Sequence, residues 1–97
     1  MLSENGKIIC EAISKMQRLG FVYNGKPRVA EPQFYGIGNK GHEQVRVYQV
    51  NIKPHQEKLL DVAKIQRLEL LQESFTKAGP NYNPNDSAFR VEICKLK

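Results

Sequence analysis

The sequence predicts a mainly β fold, α+β by content, in which one amphipathic helix precedes about five or six short strands. Apolar residues recur at helical spacing before Gly20, whereas they alternate with polar residues over much of the chain after it. Turn-forming residues divide this second part into short segments. Such strands can remove their exposed edges by closing into a small barrel or curled sheet.

Length and composition indicate one folded domain. The 97 residues leave room for a single hydrophobic core, so residues 1–97 are expected to form one domain. Hydrophobic residues make up 40% and charged residues 26%, which is typical of globular rather than disordered chains. No apolar run approaches the length of a membrane span, and no apolar segment of a secretion signal follows the N-terminus. We therefore expect a soluble cytoplasmic protein.

The charge of the chain favours anionic partners. Fifteen Lys and Arg against ten Asp and Glu give a net charge of +5. Residues 1–48 carry seven basic and four acidic residues, and residues 49–97 carry eight and six, so the charge is not concentrated in one segment. A positive patch would have to be assembled by folding. A mildly basic surface with no nucleic-acid role is an equally open alternative.

Residues 3–19 are predicted to form the helix. Its apolar positions recur at three- and four-residue spacing: Ile8, Ile9, Ala12, Ile13, Met16 and Leu19. Ser3 or Asn5 can cap its start, and Gly20 can end it. Because an apolar stripe of this kind usually packs against a core, we expect the helix to cover a sheet.

The β region, about 21–96, is predicted to open with a hairpin. A strand over 21–23 runs into Asn24-Gly25, the dipeptide that most readily supplies the two positive φ values of a type I′ turn. Residues 28–31 should return as the partner strand.

A second hairpin is predicted after the first. Pro27 and Pro32 bracket the strand before it, and proline is tolerated there only at strand ends or on a sheet edge. Residues 33–37 should form the next strand, 38–41 the turn, and 43–52 the strand at the centre of the sheet.

The segment 56–75 fits two structures on its residues alone. Its apolar residues match one face of a helix, but a turn through Asp61 and an alternating strand over 65–71 fit as well. Residues 78–87 consist of turn-forming types, and 89–94 alternate as a last strand.

The cysteines, the histidines and a glycine-rich string do not indicate a disulfide, a metal site or a nucleotide site in this sequence. Cys10 and Cys94 lie near opposite ends and are expected to be separate buried residues rather than a disulfide or metal pair. His42 and His55 have no partner at metal-ligand spacing, so we expect no metal and no cofactor. The G-x-G-x-x-G string over 36–41 precedes an alternating strand rather than a helix, and therefore favours a glycine-rich hairpin.

No catalytic set is apparent. The serines lack an elbow motif, and neither cysteine lies in the local sequence of a known nucleophile. Glu31 and Asp61 are better explained by structural salt bridges than by acid–base chemistry. We expect a protein that is not an enzyme.

The candidate binding residues are basic or aromatic side chains on predicted strands: Arg28, Tyr35, Arg46, Tyr48 and Arg67. Arginine forks bind phosphate and aromatic rings stack on bases, so the set suits single-stranded nucleic acid or a nucleotide. The alternative is that Tyr48 belongs to the core and the arginines pair with carboxylates of neighbouring strands.

Three strings carry a family resemblance: Tyr23-Asn-Gly-x-x-Arg28-Val-x-Glu31-Pro32-x-x-Tyr35-Gly36, Val45-Arg46-Val47-Tyr48-Gln49 and Asp61-Val-x-x-Ile65. With them the chain resembles a WYL domain, and in particular the short bacterial proteins that carry this domain alone. The resemblance covers about residues 8–75. It implies an SH3- or Sm-like β-barrel with a preceding helix and a strand over 65–71. It also implies ligand sensing in bacterial transcription regulation, with single-stranded nucleic acid as the favoured ligand.

The resemblance transfers only part of the family motif. Arg28, Glu31 and Tyr48 match it, and the positions with a structural role would be Glu31, Pro32, Gly36 and Asp61. The tripeptide that names the family aligns with 43–45, where only the aliphatic third position remains. The basic stretch expected before the aspartate is replaced by 55–58.

The regulatory function that the resemblance implies would require a second protein chain. The winged DNA-binding domain of the regulators is missing from the sequence, so we expect a protein partner or a homo-oligomer. An alternative function is a protein-interaction or assembly domain that binds no small ligand.

Overall fold

One helix and six strands make up the regular structure of residues 2–53 and 56–97, the part of the chain that the computed structural model describes. The elements are α1 Glu4–Lys15, β1 Gln17–Tyr23, β2 Lys26–Gly38, β3 Glu43–Gln49, β4 Glu57–Asp61, β5 Gln66–Ser74 and β6 Phe89–Lys95. A 3-10 turn, Val62–Lys64, joins β4 to β5. The predicted mainly β class with a helix in front is confirmed.

The strands form one antiparallel sheet in the order β4-β3-β2-β1-β5, with β6 added to β2. The long strand β2 organises it. One edge of β2 pairs with β3, while the other edge pairs first with β1, up to Ala30, and then with β6, from Phe34 onward. This arrangement is consistent with a small β-barrel. The predicted central strand 43–52 is shorter than expected and lies beside β2, which is the true centre.

Proline does not divide β2 as predicted. Pro27 and Pro32 both lie inside this strand, which continues through the expected break to Gly38. Pro32 is tolerated because β2 passes there from β1 to β6, and because the register with β3 shifts between Pro32 and Phe34. The missing N–H therefore falls where the ladder is already interrupted.

The helix α1 is shorter than the predicted range 3–19. Ser3 caps it as expected, because the Gly6 amide donates a hydrogen bond of 3.0 Å to the Ser3 Oγ. Met16, with φ 53°, ends it in the left-handed region. Leu19 belongs to β1, where it is buried and pairs with Ala30, so sheet pairing overrides its helical spacing.

The two hairpin turns agree with the predictions. Asn24 and Gly25 have φ values of 53° and 75°, as a type I′ turn requires. The glycine-rich string also forms a hairpin, because the Gly41 amide donates to the Gly38 carbonyl at 2.9 Å between β2 and β3.

The segment 56–75 contains strands rather than a helix. The strand predicted over 65–71 is confirmed as β5, while β4 was not predicted. Arg67 has φ 55° and lies where the register between β1 and β5 shifts, so it occupies a bulge. The predicted loop over 78–87 contains no helix or strand.

The core lies between α1 and the sheet. Ile9, Ala12 and Ile13 of the helix are buried against strand residues that include Tyr35 and Val47. Burial of each large apolar side chain stabilises the fold by about 1.5–3 kcal/mol.

The prediction for the cysteines is wrong. Cys10 and Cys94 form a disulfide that links α1 to β6, with their Cα atoms 5.7 Å apart. Both residues are only partly buried. Their separation of 84 residues hides the pairing in the sequence, because only the addition of β6 to β2 brings the last strand beside the helix.

No helix in residues 2–53 and 56–97 is long and apolar enough to cross a membrane.

Candidate functional site

The five predicted binding residues do not share one pocket. Tyr35 is fully buried in the core, where its hydroxyl donates a hydrogen bond to Glu43. Burial raises the pKa of Tyr35, and the contact with Glu43 raises it further. Tyr35 therefore offers no ring face to a ligand. Arg67 is exposed in its bulge on β5.

Arg28 is hydrogen-bonded to residues of the strands β1 and β3. Its Nη1 donates to the Gln49 Oε1 at 2.7 Å and its Nη2 to the Tyr23 carbonyl at 3.2 Å. The guanidinium also lies 5.4 Å from the centre of the Tyr23 ring. Its Nε is buried, with no hydrogen-bond partner among the described residues. Because both terminal nitrogens already donate hydrogen bonds within the protein, few donors of Arg28 remain for a ligand.

Arg46 is neutralised by Asp86. Two hydrogen bonds of 2.9 and 3.2 Å join the guanidinium to the carboxylate and fasten the loop between β5 and β6 to the sheet. Burial raises the pKa of Asp86, but the hydrogen bonds from Arg46 and from the Ala88 amide outweigh it and leave the pKa below its usual value. Arg46 is thus a structural clamp.

Tyr48 lies in a cleft on the outer face of the sheet. The cleft has a volume of about 350 Å³ and is lined by Arg18, Glu31, Tyr48 and residues 74–80. The side chains of Arg18, Glu31 and Tyr48 form a row across β1, β2 and β3. Glu31 pairs with Tyr48, and Arg18 lies next to Leu19, whose partner Ala30 lies next to Glu31. We call this feature the sheet cleft.

An ion pair fixes the floor of the sheet cleft. The Arg18 Nε donates to the Glu31 Oε2 at 3.0 Å, and the two side chains are 30% and 11% exposed. Within residues 2–53 and 56–97, the Arg18 terminal nitrogens, the Tyr48 hydroxyl and the Lys77 ammonium donate no hydrogen bond. The sheet cleft therefore presents several unused donors beside a partly buried aromatic ring.

The roof of the sheet cleft is the start of the loop between β5 and β6. Phe75 anchors it, being 7% exposed and donating its amide to the Met16 carbonyl at 3.0 Å. The Gly79 amide donates to the Gln33 Oε1 at 2.6 Å. A Cβ on Gly79 would lie 2.9 Å from that oxygen and 3.0 Å from the Tyr48 ring, so a larger residue would push these side chains away.

The residues predicted to have a structural role make close contacts. Glu31 pairs with Arg18, and Asp61 lies 3.6 Å from the Lys64 ammonium. Pro32 lies at the register shift of β2, and a Cβ on Gly36 would overlap the Val91 carbonyl of β6. Glu31 and Asp61 are therefore held in ion pairs, while Pro32 and Gly36 are explained by strand pairing.

A larger cavity of about 890 Å³ lies beside the start of α1. Its lining includes three carboxylates, those of Glu4, Glu43 and Asp61, so its charge opposes an anionic ligand. Within the described residues, no group of three or more His, Cys, Asp or Glu is arranged to hold a metal ion. His55 lies outside those residues.

Sequence reasoning found Tyr48 and missed Arg18 and Lys77. Arg18 falls within the range 3–19 that the apolar spacing predicts as helix, and Lys77 falls in a polar stretch for which the sequence predicts no binding role. The ion pair of Arg18 depends on its position in β1 opposite Glu31, which only the strand register reveals.

Comparison with known proteins assigns no family to this geometry: no family model matches the chain, and neither does any curated protein or solved structure.

Proposed function

We propose that this chain is a non-enzymatic binding module that holds an anionic ligand in the sheet cleft. The ligand class is single-stranded nucleic acid or a nucleotide. The observation that carries the proposal is the set of donors in one concave site: the terminal nitrogens of Arg18, the Tyr48 hydroxyl and the Lys77 ammonium.

The charges of the sheet cleft suit a phosphate group. Glu31 engages the Nε edge of Arg18 and holds the guanidinium in place, which leaves the terminal nitrogens to donate to ligand oxygens. Lys77 adds an exposed positive charge at the rim. The net charge of +5 accelerates the approach of anions from solution.

The size of the sheet cleft limits how much ligand it can hold. Its volume of about 350 Å³ is near the lower end of the range for small-molecule sites. One nucleotide unit, rather than a long segment of strand, would therefore occupy it. The partly buried ring of Tyr48 supplies a wall against which a base can pack.

The resemblance to WYL domains supports the same ligand class. Two of the motif positions that match, Glu31 and Tyr48, lie in the sheet cleft. The proposal also includes a bacterial cytoplasmic location and a protein partner or second copy that would carry the signal onward.

The test is calorimetric titration with a nucleoside monophosphate and with a short single-stranded oligonucleotide. Tyr48→Phe removes only the hydroxyl and should weaken binding about two- to tenfold, the effect of one hydrogen bond. Lys77→Gln should weaken it by up to about fivefold, as for other exposed charges. Lys40→Gln is the matched control, because Lys40 is also exposed but lies in the turn between β2 and β3.

Salt supplies a second criterion. Binding should weaken between about 50 and 200 mM salt, because phosphate neutralisation releases counterions. Equal affinities for Lys77→Gln and Lys40→Gln would place the ligand elsewhere. No binding of either probe would refute the proposal and favour the alternative, a protein-interaction domain.

A further inference from the structure

The disulfide between Cys10 and Cys94 lies beside a surface groove. Both residues are partly exposed, and they line an open groove of about 540 Å³ between α1 and β6. Apolar residues, including Ile13 and Met16, form part of its wall. A thiol reductant can therefore reach the bond without prior unfolding.

A short series of contacts connects this disulfide to the sheet cleft. Two residues after Cys94, the Leu96 amide donates to the Gln33 carbonyl at 2.9 Å. The Leu96 carbonyl accepts a hydrogen bond of 2.6 Å from the Tyr82 hydroxyl, which belongs to the loop that forms the roof. The Gln33 side chain holds the Gly79 amide of the same loop at 2.6 Å. Two hydrogen bonds of this loop thus meet the end of β6, in addition to the bond from the Phe75 amide to Met16.

The strand β6 pairs with β2, and its first residue, Phe89, stacks on Phe34. Toward its end, Ile93 and Cys94 pack against the core, and Leu96 just beyond it is buried. Near its last residues, the disulfide is the covalent link to the helix. Chain segments near a terminus open more easily than the centre of a sheet, so loss of the link should loosen Leu96 and, through it, the roof.

We propose that the Cys10–Cys94 disulfide is a site of reversible thiol–disulfide exchange whose reduction loosens the roof of the sheet cleft. The consequence for ligand affinity rests on the proposed function. The reactant is a dithiol: one of its thiolates attacks a protein sulfur, forms a mixed disulfide and releases the other cysteine as a thiolate, which takes up a proton. The second thiol of the reagent then displaces the remaining cysteine. Overall, two electrons and two protons pass to the protein, and the dithiol becomes a disulfide.

The test is amide hydrogen exchange of the full chain without ligand, before and after reduction by dithiothreitol. Exchange at Gly79 and Leu96 should accelerate about tenfold, as for the loss of one net hydrogen bond. The Gly41 amide in the turn between β2 and β3 is the control, because a turn amide exchanges by local opening, and its exchange should not change. The double variant Cys10→Ala/Cys94→Ala should exchange as the reduced protein does and should not respond to the reagent.

Three outcomes would overturn the proposal: unchanged exchange at Gly79 after reduction, an equal acceleration at the control amide of Gly41, or a response of the double variant to dithiothreitol. Because ligand is absent, failure of the proposed function leaves this result intact. A separate titration of the reduced protein with a nucleoside monophosphate should then show weaker binding than that of the oxidised protein. Equal affinity would overturn the coupling to the sheet cleft.

Discussion

A substitution of Arg46 can distinguish a structural role from a ligand-binding role. The sequence predicts that Arg46 binds a ligand, whereas in the structure it pairs with Asp86. The substitution Arg46→Met retains most of the side-chain length and removes the charge. The arginine is 26% exposed and the aspartate 11%, so the pair is neither at the surface nor fully buried. Exposed pairs contribute about 0–1 kcal/mol, and breaking a fully buried pair costs about 3–5 kcal/mol. We therefore expect Arg46→Met to lower the free energy of unfolding by about 2 kcal/mol.

The measurement is urea unfolding at neutral pH, combined with Asp86→Asn and the double variant Arg46→Met/Asp86→Asn. The double variant should lose less stability than the sum of the single variants, because it leaves no partly buried carboxylate unpaired. The pKa of Asp86 is lowered in the folded state, so its contribution is present above the unfolded pKa and is lost as the pH falls below about 4. The Asp86→Asn protein should accordingly lose less stability on acidification than the wild type.

The same variant tests the assignment of the site. Because Arg46 lies outside the sheet cleft, the folded Arg46→Met protein should bind a nucleoside monophosphate as the wild type does. Unchanged stability with a large loss of affinity would refute this reasoning and restore Arg46 to the binding site.

Three further substitutions test the fold. Replacing Cys10 and Cys94 with alanine removes a covalent link between residues 84 positions apart. The gain in entropy of the unfolded chain should lower the free energy of unfolding by up to about 4.5 kcal/mol, measured as a shift in the urea midpoint. A loss below about 1 kcal/mol would contradict that estimate. Tyr35→Phe should cost about 1–2 kcal/mol, because Glu43 loses a buried donor, and should leave ligand affinity unchanged; weaker binding would argue against its place in the core. Gly25→Ala should lower the melting temperature through a cost of about 1–2 kcal/mol at positive φ, whereas an unchanged melting temperature would argue against the type I′ turn.

Sequence reasoning succeeded where the determining chemistry is local. The Ser3 hydroxyl caps the amide three residues away, and Asn24-Gly25 favours a type I′ turn whatever surrounds it. It failed where a distant strand decides the outcome. Leu19 continues the helical spacing of α1, yet its partner Ala30 places it in the sheet. Nothing in the local sequence of Cys10 indicates a disulfide partner 84 residues away.

The candidate site could be predicted only in part for the same reason. Tyr48 is recognisable as an aromatic residue on an alternating strand. The role of Arg18 follows from its register with Glu31, and the role of Lys77 follows from the hydrogen bond that holds Gly79 over the sheet. These relations join four separate segments, so no pattern within one segment reveals them.

Binding of an anionic ligand in the sheet cleft is tested most directly by an NMR titration of the labelled protein with a nucleoside monophosphate. If the ligand binds in the sheet cleft, the largest, saturable shifts will occur at the Gly79 amide, the Arg18 Nε and the backbone of Tyr48. Shifts concentrated at Arg28 or Arg67, with those three signals unmoved, would contradict it.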